Sequence, residues 1–307
     1  MKATSFLDSR GSLRLAVADP AGAWRDVTAA ALDDAGPQTG LSPMRHFLSS
    51  DGDWARLAIA AESAPVADIV TPLAPVPDPS KVVAAPVNYR DHQSEMNEDI
   101  AVDALGVFLK APSSLIGDSG TVRLPYHDRR FDQEGELAVI IGQPASHVSE
   151  AGALNVIAGY TCLLDMTMRG GEDRSVRKSF DTFTPAGPYL VTADEVGDPA
   201  ELELRTWVGG QLRQRADLAD LIWSVPRLIA YISSVMQLQP GDLIATGTPA
   251  GVGEVCDGQD IAVEITRVGR LQVTVSSQGA FTCPTLGKDR GPVPPAHVTP
   301  PSERVRA

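Results

Sequence analysis

Asp132-Gln133-Glu134-Gly135-Glu136 runs directly into the apolar stretch Leu137-Ala138-Val139-Ile140-Ile141-Gly142. The β-branched residues at 139–141 predict a strand that stops at Gly142. Because side chains alternate across a strand, Glu134, Glu136, Ala138 and Ile140 share one face. A face carrying Ala138 and Ile140 reads as buried, and carboxylates placed there must be neutralised by a cation or by a proton. A third acid, Asp165, lies in a second predicted strand over residues 160–169. Cys162, Leu164, Met166 and Met168 form its apolar face, while Leu163, Asp165, Thr167 and Arg169 form a polar one.

Glu134, Glu136 and Asp165, with no Cys or His among them, make a hard, all-oxygen ligand set. Such a set suits Mg²⁺, Mn²⁺ or Ca²⁺ rather than zinc or copper, and it leaves coordination positions open for water and substrate. The competing reading is a solvated edge strand, with Glu134 and Glu136 in water and Asp165 paired with Arg169. Burial of the acids separates the two.

His92 and Glu95 are the second chemical pair. Residues 89–97 predict a helix, on which a spacing of three stacks the two side chains on one face. The carboxylate can then orient the imidazole, and the pair can act as a base on water. An exposed His/Glu pair on a polar helix is the alternative. His46 has no acid or cysteine at ligand spacing and is read as packed or surface, while His127 and His147, in loops beside Asp128 and Ser149 and without a motif, are read as surface residues.

The elements around these residues follow from composition and punctuation. The chain has 307 residues, 43% of them hydrophobic, which is ample for a core. A formal charge of −13 with no Lys/Arg block argues against a nucleic-acid or anionic-membrane partner. Cys162, Cys256 and Cys283 have no disulfide or zinc spacing and read as reduced thiols, and no apolar run approaches the roughly 20 residues of a membrane span. The expected location is the cytoplasm. Proline-rich residues 72–79 suggest a boundary after a small α+β module over residues 1–78, with the chemistry in 79–280 and a Pro-rich, charged, disordered tail over 281–307. Residues 202–208 and 211–213 predict a hairpin, and 224–236 an amphipathic helix. The glycine-rich loop 246–253 lacks the Gly-Lys-Ser/Thr of a phosphate cradle, and Pro249 removes an amide donor, which excludes a nucleotide site there.

Across residues 80–275 the chain resembles the fumarylacetoacetate hydrolase family. The resemblance is carried by Asn88-Tyr89 with His92 and Glu95, by Phe108-Leu109-Lys110, and by the Glu134/Glu136 strand ending in Gly142. It continues through Gly159-Tyr160, Asp165 with Arg169, Lys178-Ser179-Phe180-Asp181, Gly187-Pro188, and Pro240-Gly241-Asp242 running to Thr246-Gly247-Thr248-Pro249. It implies a mixed α/β, β-rich fold, a β-sandwich roll, and a homodimer. It also implies that Glu134, Glu136 and Asp165 hold Mg²⁺ or Mn²⁺, and that His92 and Glu95 are a catalytic dyad on a mobile lid. Lys178 would stand near the metal and the substrate oxygens. Asn88, Tyr89, Arg169 and Thr248 would contact substrate, Thr248 through its carboxylate.

The activity implied is metal-dependent hydrolysis of a carbon–carbon bond in a small 2-oxo or 1,3-dioxo acid of the acylpyruvate type. Hydration of a 2-oxo-4-enoate, decarboxylation or isomerisation on the same site, or a non-catalytic binding role, are the alternatives. The chain departs from the family pattern at Ala111, where proline is usual after Lys110, and in the short insert 170–178. There Glu172 stands near the family's glutamine. Lys110 itself is read as structural or as a support behind the residues that meet the metal.

Overall fold

Alternation along the strand Gly135–Ile141 divides the interior in two. Leu137, Val139 and Ile141 face one core, together with Leu204, Val263 and the helix residues Leu228, Ile229 and Ile232. Ala138 and Ile140 face the other, with Leu15, Phe47, Leu57, Val82 and Leu243. The computed structural model describes residues 1–32, 40–50, 52–288 and 290–304.

The main sheet runs in the order Trp24–Asp26, Leu13–Ala18, Lys2–Leu7, Thr184–Thr192, Ile157–Leu164, Gly135–Ile141, Leu243–Ala245, Val82–Ala84, Phe108–Lys110. A second sheet, ordered Gln211–Asp217, Glu203–Val208, Asp260–Ile265, Gly269–Ser276, Thr121–Arg123, packs against the Leu137 side. The two sheets meet closely at Gly135. A Cβ there would lie 2.1 Å from the Thr206 hydroxyl, so no larger residue fits between Glu134 and Glu136 without moving a sheet. The hairpin spans Glu203–Val208 and Gln211–Asp217, and the amphipathic helix is Val225–Val235, capped by the Ser224 hydroxyl accepting from the Arg227 amide.

Three regions differ from the sequence expectation. The small N-terminal module is not set apart from the rest. Lys2 and Ala3 pair with Val191 and Leu190, so the first three strands extend the main sheet and their side chains share a core with Ile140 and Leu163. The second acid-bearing strand ends earlier than periodicity suggested, at Leu164, and resumes only as Thr167–Met168 in a separate three-stranded sheet. Asp165 sits at that break.

The third region is the segment after residue 280, expected to be a disordered tail. Its described part lies along the protein: Arg304 donates to the carbonyl of Ala250 at 2.6 Å, Pro294 accepts from Arg130 at 3.3 Å, and Cys283 is buried beside Arg129. Composition hid this because the anchors are single side chains reaching carbonyls, which leave no period in the sequence.

Candidate active site

Antiparallel register brings the acids together. Glu136 pairs with Leu163 and Gly135 with Leu164, so the chain leaving Leu164 passes Glu134, whose carbonyl accepts from the Asp165 amide at 2.8 Å. Glu134, Glu136 and Asp165 are all buried, and each offers one carboxylate oxygen within 4.8 Å of the others. The solvated-edge reading therefore fails. Arg169 does not pair with Asp165 either: its Nε donates to Asp132 at 2.5 Å and its terminal nitrogen to Glu134 at 2.9 Å.

Two lysines complete the cluster. Lys178 Nζ donates to Glu134 at 2.6 Å and to Asp165 at 2.5 Å. Lys110, fully buried, donates to the other Asp165 oxygen at 2.5 Å and to the carbonyls of Lys178 and Phe183. Burial pulls the Lys110 ammonium below its ordinary range, against the opposing pull of Asp165. Lys110 thus supports Asp165 directly, the second of the two roles read for it from the sequence.

The acids are not equivalent. Burial opposes ionisation of Glu134, but the charges of Lys178 and Arg169 overcome it and hold its carboxyl far below the usual range. Glu136 is pushed the other way, by burial and then by the charges of Asp165 and Glu134. Its hydrogen-bond donor is the Gly247 amide at 2.6 Å, turned inward by a backbone φ of +98° that favours glycine. Among the described residues no ammonium or guanidinium lies within ion-pair distance of Glu136. Charge is therefore in excess where the three oxygens converge, and a divalent ion with hard-oxygen preference fits that donor set.

His92 and Glu95 lie on the short helix Arg90–Glu95. His92 Nδ1 faces Glu95 Oε2 at 3.1 Å, and Glu95 Oε1 accepts from the Gly251 amide at 2.8 Å. A carboxylate only accepts, so the proton sits on Nδ1 and the Nε2 lone pair is left for water. The segment expected to be a loose lid also has its own burial, through Met96, Ala101 and Val102. It is helical over Arg90–Glu95 and Val102–Leu105, and the Val102 amide donates to Val87.

One pocket collects His92, Glu134, Glu136, Arg169, Lys178 and Thr248 in its lining, with Phe108, Arg174, Arg177 and Pro292 around them. Thr248 reaches it with its hydroxyl already committed, donating to the Gly135 carbonyl at 3.0 Å and accepting from Gln214 at 2.7 Å. Asn88 and Tyr89 stand outside the lining. Asn88 is fully buried, donating to the carbonyls of Trp223 and Thr246 and accepting from the Trp223 amide, which ties three loops behind the site. Tyr89 is almost wholly buried and bridges to Leu221, and burial raises its phenol well above the ordinary range. Glu172 is likewise outside, paired with Arg129 at 2.6 Å.

A sequence model described as fumarylacetoacetate (FAA) hydrolase, C-terminal, matches residues 81–276. The chain belongs to the fumarylacetoacetate hydrolase family. Within reach of that family, it is 42% identical over 255 residues to a maleylpyruvate hydrolase of Aquipseudomonas alcaligenes, covering 78% of this chain and 88% of the relative. It is 44% identical over 197 residues to an Escherichia coli 4-hydroxyphenylacetate degradation bifunctional isomerase/decarboxylase, covering 62% of this chain and 46% of that protein. A crystal structure of maleylpyruvate hydrolase from Sphingobium sp. SYK-6, in complex with manganese(II) and pyruvate, superposes with a TM-score of 0.78 at 37% identity. The match covers 90% of this chain and 99% of that one. The mixed, strand-rich fold expected from the sequence is the fold of these family members.

Proposed function

We propose that the protein is a divalent-metal-dependent hydrolase that cleaves a carbon–carbon bond in a small acylpyruvate-type acid. The observation that carries this reading is a cluster of three buried carboxylates, two of which, Glu134 and Glu136, line one pocket with His92, whose ring is held by Glu95. The family relatives named as maleylpyruvate hydrolases, one of them holding manganese and pyruvate, support it.

Glu134, Glu136 and Asp165 would hold Mg²⁺ or Mn²⁺. A divalent ion bound there supplies a Lewis acid for the oxygens of the 2-oxo acid end. His92 Nε2 takes a proton from water, with Glu95 fixing the ring and stabilising the imidazolium. The resulting hydroxide adds to the acyl carbonyl carbon, and the bond from that carbon to the pyruvyl CH₂ then breaks. The electron pair goes to the pyruvyl fragment as its enolate and the acyl arm leaves as a carboxylic acid. The proton held on His92 is available to the enolate carbon, which leaves as pyruvate. Lys178 holds Glu134 and Asp165 in place, and Arg169 holds Glu134, while this happens.

The isomerase/decarboxylase relative supports a second reading, in which the same enolate is protonated or decarboxylated without water addition. Product analysis separates the two. With Mn²⁺, acetylpyruvate should be lost with release of equal pyruvate and acetate, and a chelator should stop it. Turnover without acetate would sink the hydrolase reading. We also read the protein as a cytoplasmic homodimer. Free thiols at Cys162, Cys256 and Cys283 support the compartment, and family membership supports the dimer. Among the described residues no helix is long and apolar enough to cross a membrane.

A further inference from the structure

The segment after residue 280 lies beyond residues 81–276, the stretch that matches the family, yet it reaches both sides of the pocket. On the acidic side, the Gly287 carbonyl accepts from the Gly171 amide at 2.9 Å, and the Pro294 carbonyl accepts from Arg130 at 3.3 Å. Arg130 also donates to Asp132 at 2.7 Å, and Asp132 anchors the Arg169 that holds Glu134. Between those two contacts, Pro292 supplies part of the pocket lining itself. On the far side, Val298 packs so closely on Gly253 that a Cβ there would strike it.

Arg304 then stands behind the catalytic pair. Its Nη1 donates to the Ala250 carbonyl at 2.6 Å and its Nη2 to the Arg213 carbonyl, while its Nε donates to the Thr299 carbonyl at 2.8 Å. One guanidinium fork thereby joins the loop after Thr248 to the hairpin strand Gln211–Asp217. The next amide along that loop, Gly251, is the one that holds Glu95 Oε1 at 2.8 Å, and Glu95 Oε2 faces His92 Nδ1 at 3.1 Å. Gly251 has a φ of +104°, and a Cβ there would strike both the Arg213 carbonyl and the Arg304 guanidinium, so the turn is packed on the arginine as well as bonded to it. Burial pulls the Arg304 guanidinium below its ordinary range, against the opposing charges of Glu95 and Asp91.

We propose that residues 281–304 form a strap that completes the active site, and that Arg304 is a positioning residue for the His92–Glu95 pair, acting through the Ala250–Gly251 turn. This rests on the hydrolase reading and gives its general base a support from outside the matched family stretch. A base works only while its ring is aimed. The helix that carries the pair is six residues long, too short to fix Glu95 unaided. The Gly251 amide fixes the carboxylate, and Arg304 fixes the turn that presents the amide.

The test uses the full-length, Mn²⁺-loaded protein with acetylpyruvate. Arg304→Gln should lower kcat roughly tenfold with KM and Mn²⁺ affinity unchanged, and Arg304→Lys, which keeps a charged donor, should recover part of the loss. In a Glu95→Ala background the same Arg304→Gln change should cost nothing further, because the link it serves is already cut. An unchanged kcat, an equal loss in both backgrounds, or a fall in Mn²⁺ affinity would overturn the proposal. Hydrogen exchange reads the same link without turnover: Arg304→Gln should speed exchange of the Gly251 amide and of Arg90–Glu95 roughly tenfold while Gly135–Ile141 stays protected. A third measurement needs no variant, since oxalate should slow exchange across residues 293–304 of the wild type as it does across the dyad helix. Unchanged exchange in either experiment would also overturn the proposal. If wild type releases no pyruvate from acetylpyruvate, the hydrolase reading fails, while the exchange comparisons still decide whether the strap holds the pair.

Discussion

The two walls of the pocket are built in opposite ways. On the acidic wall, Glu136 sits in the strand Gly135–Ile141 opposite Leu163, and Glu134 and Asp165 flank the strand ends, joined by the Asp165 amide donating to the Glu134 carbonyl. On the opposite wall, the His92–Glu95 pair rides a helix of six residues, held to the rest by the Gly251 amide and by the burial of Met96 and Val102. The first wall holds charge that would otherwise repel itself, so it must be rigid. The second must admit substrate and then exclude water, so it must be able to open. The contrast teaches that stability is concentrated where like charges are gathered and is withheld where the proton moves.

Breaking the rigid wall should have the largest effect. Glu136→Ala removes the carboxylate that has no cationic partner among the described residues. Mn²⁺ affinity measured by calorimetry should fall by more than the about 10–100-fold that loss of an outer hydrogen-bond partner costs, and turnover should vanish with it. Equal affinity in wild type and variant would remove Glu136 from the metal site.

On the helical wall, His92→Ala should leave the fold and Mn²⁺ binding intact while lowering kcat by about 10²–10⁴-fold. An unchanged kcat would exclude His92 as the base, and a variant unable to bind Mn²⁺ would mean that the two walls are not separable.

The smallest effect sharpens the comparison without a mutation. Adding oxalate to the Mn²⁺-loaded protein should slow hydrogen exchange across residues 90–105 roughly tenfold, equivalent to about 1.4 kcal/mol of added protection. Gly135–Ile141 should be protected equally in both states. Identical exchange of residues 90–105 with and without oxalate would show a preformed wall.

The acidic trio and the dyad were legible in the sequence because each depends on a local period, two along Gly135–Ile141 and near 3.6 along Arg90–Glu95. The placement of Asp165 was legible in kind but not in detail, since the break after Leu164 depends on a partner strand far away in the chain. Asn88 and Tyr89 carried the family motif but lie behind the pocket, because an amide that can tie three loops and a phenol that can fill a core look the same in sequence as ones that meet a ligand. Arg177, buried in the pocket lining, was passed over for the converse reason. A lone basic residue has no pattern, and its meaning comes from which carboxylates the fold sets beside it or withholds.

The continuity of the main sheet bears on how the molecule comes apart. Lys2–Leu7 pairs with Thr184–Thr192, which pairs with Ile157–Leu164, which pairs with the Gly135–Ile141 strand. Unravelling the first strands would expose an edge two strands from Glu136 and open the core shared by Leu15, Phe47 and Ile140. Heat should therefore melt the N-terminal module and the catalytic portion in a single calorimetric transition rather than two.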